Sequence, residues 1–238
     1  MMNDMDRTQT ALNYRNILIM TAVEAEREAV LRGIAKAASG QGSTEQAKFD
    51  VQLCGVGPIS AAAETAAYLA ANPKYDLVIS AGIGGGFTDR AEIGSIAIAD
   101  SIIAADLGAE TGDGFSSVDK LGFGSSSIPV ASALTEELTK SIQSAGWAVC
   151  SGPILTLSTV TGTRETADEL KRRIPGAVAE AMEGYGAAFA AHRLNIPVME
   201  IRTISNAIGP RNRELWRIGD ALQALEQACY NLAEVLQR

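Results

Sequence analysis

Short apolar runs alternate along the chain with longer stretches in which small and apolar residues recur at helical spacing. NILIMT (16–21) predicts a buried strand, and EAEREAVLRGIAKAA (24–38) the helix that follows it. FDVQLCGVG (49–57) predicts a strand running into a glycine turn. ISAAAETAAYLAA (59–71) predicts a helix whose small residues allow close packing, and YDLVISAGIGGG (75–86) a third strand that ends in glycines. GSIAIADSIIAAD (94–106) has the pattern of a strand, whereas residues 107–129 are rich in Gly and Ser and weakly patterned, as in an excursion or lid. The alternation then resumes with SALTEELTKSIQSAG as helix, GPILTLSTV as strand, TRETADELKRRI as helix, AVAEAM as strand, YGAAFAAHRL as helix and IPVMEIRTIS as strand. Residues 212–236 predict a terminal amphipathic helix. No repeat or linker interrupts the series. The expected fold class is therefore α/β: a single three-layer α/β/α domain over 15–238 with a mixed central sheet, preceded by a flexible tail at 1–14.

Composition narrows the partner more than the fold. The 238 residues are 47% hydrophobic and 20% charged, with a mean hydropathy of +0.08, as in a soluble globular chain. A net charge of −8 without any Lys/Arg cluster argues against nucleic acid or an anionic membrane and favours a small molecule. Cys54, Cys150 and Cys229 are odd in number and widely separated, so neither a disulfide framework nor a zinc site is indicated. The polar start MMNDMDRTQTALNY lacks an apolar signal core, and no run approaches the roughly 20 apolar residues of a membrane span. A cytoplasmic location is expected.

Common catalytic signatures fail. GIGGGF resembles a dinucleotide loop, but Phe87 stands where the third glycine of G-x-G-x-x-G belongs, and no helix start follows. No G-x-S-x-G elbow or Walker lysine motif occurs, and the only histidine, His192, sits within an Ala-rich helix, away from any strand end. No metal or organic cofactor is expected.

What remains are carboxylates and an amide at the C-terminal ends of predicted strands, where open α/β sheets meet their ligands. Glu24 and Glu26 follow the first strand, Glu183 follows AVAEAM, and Asn206 follows MEIRTIS. Glu24 and Glu26 are equally what a helix dipole favours in a first turn. Glu183 is a charge after an apolar strand and must meet a partner or a ligand. Asn206 could simply cap the next turn.

In this order, ILIMTAVEAE, CGVGPISAA, VISAGIGGGF, IGSIAIAD, LTLSTVTGT, AVAEAMEGYGAAFA and IRTISNAIG resemble the nucleoside phosphorylase/nucleosidase superfamily over nearly the whole chain. Within it the chain looks most like the futalosine hydrolases, which resemble methylthioadenosine/adenosylhomocysteine nucleosidases. The resemblance implies roles residue by residue. Glu26 would be the general base toward water, and Glu183, after Met182, would hold the ribose hydroxyls. Asn206 would face N7 of the purine, the Val160 backbone would lie against the base, and Ile83 and Gly84 would line the substrate site. Such a set suits N-glycosidic cleavage, whose oxocarbenium-like transition state needs a base for water, anionic character near the ribose and a stabiliser for the departing purine. The family also implies at least a homodimer.

Two departures from the wider superfamily narrow the reaction. Ile83 occupies the position of a hydroxyl residue and no arginine is near it in sequence, so phosphate would lack charge-assisted donors, although the Gly84–Gly86 amides could still hold an anion. Water is the favoured nucleophile. Asn206 replaces an aspartate, and an amide can donate to O6 and accept from N7–H of a 6-oxopurine. The expected reaction is hydrolysis of futalosine, in menaquinone biosynthesis, to hypoxanthine and dehypoxanthine futalosine. A methylthioadenosine-type nucleosidase, a purine nucleoside phosphorylase and a nucleoside-binding protein are the alternatives. Arg164, Arg202, Arg211 and Arg213 are candidates for meeting the benzoate on the 5′ side, unless Arg202 braces the Glu183/Asn206 region. The 107–129 segment, with Phe115 and Phe123, could close over that end or pack against a second subunit.

Overall fold

The structure is a computed structural model that describes residues 13–38 and 47–237. The tail expected at 1–14 thus lies almost wholly outside the described residues. The chain runs β1 (Asn16–Thr21), α1 (Glu24–Ala38), β2 (Lys48–Leu53), α2 (Pro58–Ala71), β3 (Leu77–Gly86) and β4 (Ile96–Ala104). A small excursion follows: β5 (Gly108–Thr111), β6 (Gly114–Ser117), α3 (Val118–Leu121) and β7 (Ser127–Pro129). Then come α4 (Ser132–Ser144), β8 (Val149–Thr156), α5 (Arg164–Arg173), β9 (Ala179–Ala181), α6 (Gly184–His192), β10 (Val198–Ala207), a 3-10 turn at Arg213–Leu215 and α7 (Ile218–Leu236).

Three layers follow from β1 alone. Ile17 and Ile19 belong to the apolar cluster covered by α1, α4 and α7 on one face, while Leu18 and Met20 belong to the one under α2 and α6 on the other. A strand apolar at consecutive positions is what a sheet covered on both sides requires, and each such side chain contributes about 1.5–3 kcal/mol when fully buried. A third cluster, around Phe87, Leu155 and Leu170, anchors α5.

The sheet is mixed and partly closed on itself. β3 pairs in parallel with β10 along nearly its whole length. Its other edge is shared: β1 pairs from Ile17↔Leu77 to Met20↔Ser80, and β9 takes over, antiparallel, at Gly85↔Glu180. Because β9 also pairs with β8, β8 with β4 and β4 with β10, strands β3, β10, β4, β8 and β9 form a ring, from which β1 and β2 extend. The ten residues of β3 make this possible, since the strand is long enough to change neighbour from β1 to β9 along one edge.

Three segments depart from expectation. The AVAEAM strand shrinks to Ala179–Ala181, and the helix expected from 212 starts only at Ile218, because residues 208–217 wrap across the strand ends instead. The Gly/Ser-rich excursion holds a β5–β6 hairpin whose turn places Gly114 at φ 104°, and β7 joins the edge of β4. Among the described residues no helix is long and apolar enough to cross a membrane.

Candidate active site

The C-terminal ends of β1, β3, β9 and β10 open into a cleft of about 640 Å³. Glu26, Ile83, Gly84, Val160, Met182, Glu183 and Asn206 all line it, whereas Glu24, Arg164 and Arg202 are not among the lining residues.

Glu26 reaches the cleft from the first turn of α1, directly after β1, and is only 3% exposed. Its Oε2 accepts the N–H groups of Ala22 (2.9 Å) and Val23 (3.3 Å), and Oε1 accepts that of Ile83 (2.9 Å). Burial pushes its pKa up; the Arg202 charge and the Ile83 N–H oppose the rise, and the Glu183 charge adds to it. The result is a carboxylate held rigidly by three amides yet more basic than an ordinary glutamate. Glu24 has none of this: it is exposed and pairs with Arg27 at 2.8 Å on the helix surface. Gly82 explains the tight fit between β3 and this carboxylate, because a Cβ there would stand 2.6 Å from Glu26 Oε1 and 2.8 Å from Arg202 Nη1.

Glu183 follows β9 and precedes α6. Its Oε1 accepts the Gly57 N–H (3.2 Å) at the start of α2, and its Oε2 meets Arg202 Nη1 at 3.2 Å. Arg202, 1% exposed, also donates from Nε to Glu200 Oε1 (2.8 Å) and from Nη2 to Ser80 Oγ (2.7 Å). Burial disfavours its charge, but Glu200, Glu183 and Glu26 outweigh that and hold the guanidinium protonated. Glu200 is itself pushed up to about 7 by complete burial, against the pull of Arg202. Arg202 is therefore a brace behind Glu183, with donors on both of its Nη atoms and Nε already engaged.

Asn206 owes its position to an irregularity. The β10–β3 register shifts between Ile204 and Asn206, leaving Ser205 as an extra residue and setting Asn206 opposite Gly85. The Ser205 hydroxyl lies 2.8 Å from Asn206 Oδ1, and Asn206 Nδ2 donates to the Ala207 carbonyl at 3.1 Å. One amide N–H and one lone pair of Oδ1 remain for a ligand.

The open side is formed by residues 207–216. Arg211 and Arg213 line it beside Trp216, their guanidinium carbons 5.4 and 5.7 Å from the ring centroid. Arg164 begins α5 and is not among the lining residues, and His192 lies at a separate shallow depression. Neither Phe115 nor Phe123 reaches the cleft. Arg173 stacks over Phe115 at 4.2 Å, and Phe123 faces solvent. The cover over the cleft is thus the stretch after β10, of which only the part from 212 onward had been expected to belong to the terminal helix.

Sequence reasoning passed over Glu180, Trp216 and the Glu200–Ser80 part of the Arg202 network. Glu180 left a signal, a charge in the middle of the apolar run AVAEAM, where an unpaired carboxylate is costly. It is 4% exposed and lines the cleft. Glu200 left the same signal in IPVMEI; Trp216 left none, being an aromatic in a polar stretch.

Chemically, the cleft offers a basic carboxylate beside a second, arginine-braced carboxylate, a strip of apolar wall, and an amide at the far end. Residues 40–238 match the model of the Phosphorylase superfamily. A futalosine hydrolase of Streptomyces coelicolor is 48% identical over 93% of this chain and 97% of its own length. One of Acidothermus cellulolyticus is 47% identical over 89% of this chain and 87% of its own. Among solved structures, the native structure of futalosine hydrolase of Helicobacter pylori matches at a TM-score of 0.73 and 17% identity, over 93% of this chain and 97% of that one.

Proposed function

The chain belongs to the futalosine hydrolase family of the Phosphorylase superfamily, and on that premise we propose that it cleaves the N-glycosidic bond of futalosine with water. The products are hypoxanthine and dehypoxanthine futalosine. The observation that carries this reading is the joint presence, in one cleft, of buried Glu26, braced Glu183 and Asn206.

Glu26 takes a proton from water as the oxygen attacks C1′. The C1′–N9 bond breaks, its electron pair leaves with the purine, and solvent protonates the base at N7. Charge builds up positive on the sugar and negative on the purine, so the two ends of the cleft must differ in character. Glu183 binds the ribose hydroxyls and lends anionic character to that end. Asn206 donates to O6 and accepts from the new N7–H, while the backbone at Val160 and the Met182 side chain flank the base.

Water is favoured over phosphate for reasons of occupancy. The Ile83 N–H, which could bind an anion, is taken by Glu26, and the nearby cation, Arg202, is bound to Glu183, Glu200 and Ser80. Arg211 and Arg213 beside Trp216 fit the 5′ benzoate, a carboxylate on an aromatic ring. The test is chromatography of released base from futalosine, inosine and methylthioadenosine, with and without phosphate, and mass spectrometry of the sugar. Phosphate-independent release of hypoxanthine with a free hemiacetal is expected; a sugar 1-phosphate would overturn the assignment.

A homodimer fits the surface. α2 and α6 carry an apolar groove of about 780 Å³ lined by Ile59, Ala62, Ala66, Phe189 and Leu194, and Ile59 is 84% exposed. An apolar face of this kind on two neighbouring helices suits a second copy. Sedimentation at micromolar concentration would then give twice the monomer mass. Three free cysteines, two of them fully enclosed, suit the reducing cytoplasm.

A further inference from the structure

We propose that Glu180 reads the N1–H of the departing base and, with Asn206, sets the preference for a 6-oxopurine. This rests on the hydrolase reading above. Gly85 of β3 stands opposite Asn206 on one side and opposite Glu180 on the other. Cross-strand partners project on the same face, and a Cβ built on Gly85 would meet Asn206 Nδ2 at 3.3 Å and Glu180 Cγ at 3.5 Å. The two polar side chains therefore flank Gly85, over which Ile208 also packs, its Cγ1 2.9 Å from that Cβ position, and both line the cleft. Their backbones lie two strand spacings apart, roughly 10 Å, so the two side chains reach the cleft from either side of β3.

Glu180 is incomplete as it stands. Its Oε1 accepts the Thr161 N–H at 2.9 Å, whereas Oε2 is buried and has no hydrogen-bond partner. A carboxylate oxygen so placed costs free energy until a donor arrives. N7, O6 and N1 follow one another along a single edge of hypoxanthine. With N7 and O6 at Asn206, the next group along that edge is N1–H, a donor; in adenine the same position is a lone pair. An ionised Glu180 accepts from the first and repels the second.

The Thr161 contact makes the substitution informative. In Glu180→Gln, the amide oxygen stays on the Thr161 N–H, so the NH₂ group turns toward N1 and the pattern reverses. Free hypoxanthine, titrated calorimetrically into the protein, should then bind about tenfold more weakly than to the wild type, and adenine more tightly. In Glu180→Ala, the wild-type discrimination of hypoxanthine over 1-methylhypoxanthine should collapse to within about threefold, since donor reading and its steric boundary go together. Unchanged base preference in both variants would overturn the proposal. Loss of all base binding is controlled by the Gln variant, which keeps the volume of the side chain. Should the wild type release no hypoxanthine from futalosine, the hydrolase reading fails, while the binding of free bases still judges Glu180.

Discussion

At the scale of single residues, two carboxylates in the same helix turn, two positions apart, show how little residue type says and how much environment does. Glu24 and Glu26 share a helix turn, yet one pairs with Arg27 in solvent and the other is enclosed by three amides. Glu26→Gln keeps the shape and removes the base, so turnover should fall by about 10²–10⁴-fold, with substrate affinity largely kept. Near-normal turnover would return Glu26 to a helix-dipole role. Only the ionised form can accept a proton, and burial raises its pKa. Activity should therefore decline on the acid side as pH falls through that raised pKa, at a higher pH than an ordinary glutamate would give. A rate profile flat down to the usual carboxylate range would contradict this. Asn206→Asp tests the other end of the cleft, because an ionised acid would face O6 acceptor to acceptor, at a cost of about 1–3 kcal/mol. The ratio of kcat/KM for the hypoxanthine nucleoside over the matching 6-amino nucleoside should fall by about tenfold. An unaltered ratio would remove Asn206 from base selection.

At the scale of elements, what the sequence made legible was whatever depends on local pattern. The all-apolar Ile17–Met20 run announced a strand covered on both faces, and the small residues of 59–71 announced a tightly packed helix. That second reading has a concrete basis: a Cβ on Gly186 of α6 would lie 2.1 Å from the Pro58 carbonyl oxygen of α2, so the two helices touch backbone to backbone. Gly186→Val should force them apart and cost about 1–3 kcal/mol or more, read as a lower midpoint in urea. A midpoint equal to the wild type would mean that the interface gives way freely. Non-local features were hidden. The Ser205 register shift depends on which strand β10 meets, and the shortening of β9 depends on β3 having already been claimed by β1 over its first half. Glu180 announced itself locally only as a charge in an apolar run; its place in the cleft follows from its pairing with Gly85.

At the scale of the whole molecule, the cleft and the apolar groove share a wall. Val56 lines the cleft, and three residues on Ile59 lines the groove; between them the Gly57 N–H holds Glu183, and Pro58 opens α2. Glu183 in turn stands at the start of α6, the other helix of the groove. A second copy seated there would press on the two helix starts that fix the Glu183 carboxylate. Catalytic rate per chain then becomes a function of how much protein is present. Diluted from micromolar toward low nanomolar concentration, the enzyme should lose specific activity along the same curve on which its sedimentation coefficient drops. A specific activity that stays constant while the assembly dissociates would show that each copy holds Glu183 in place unaided.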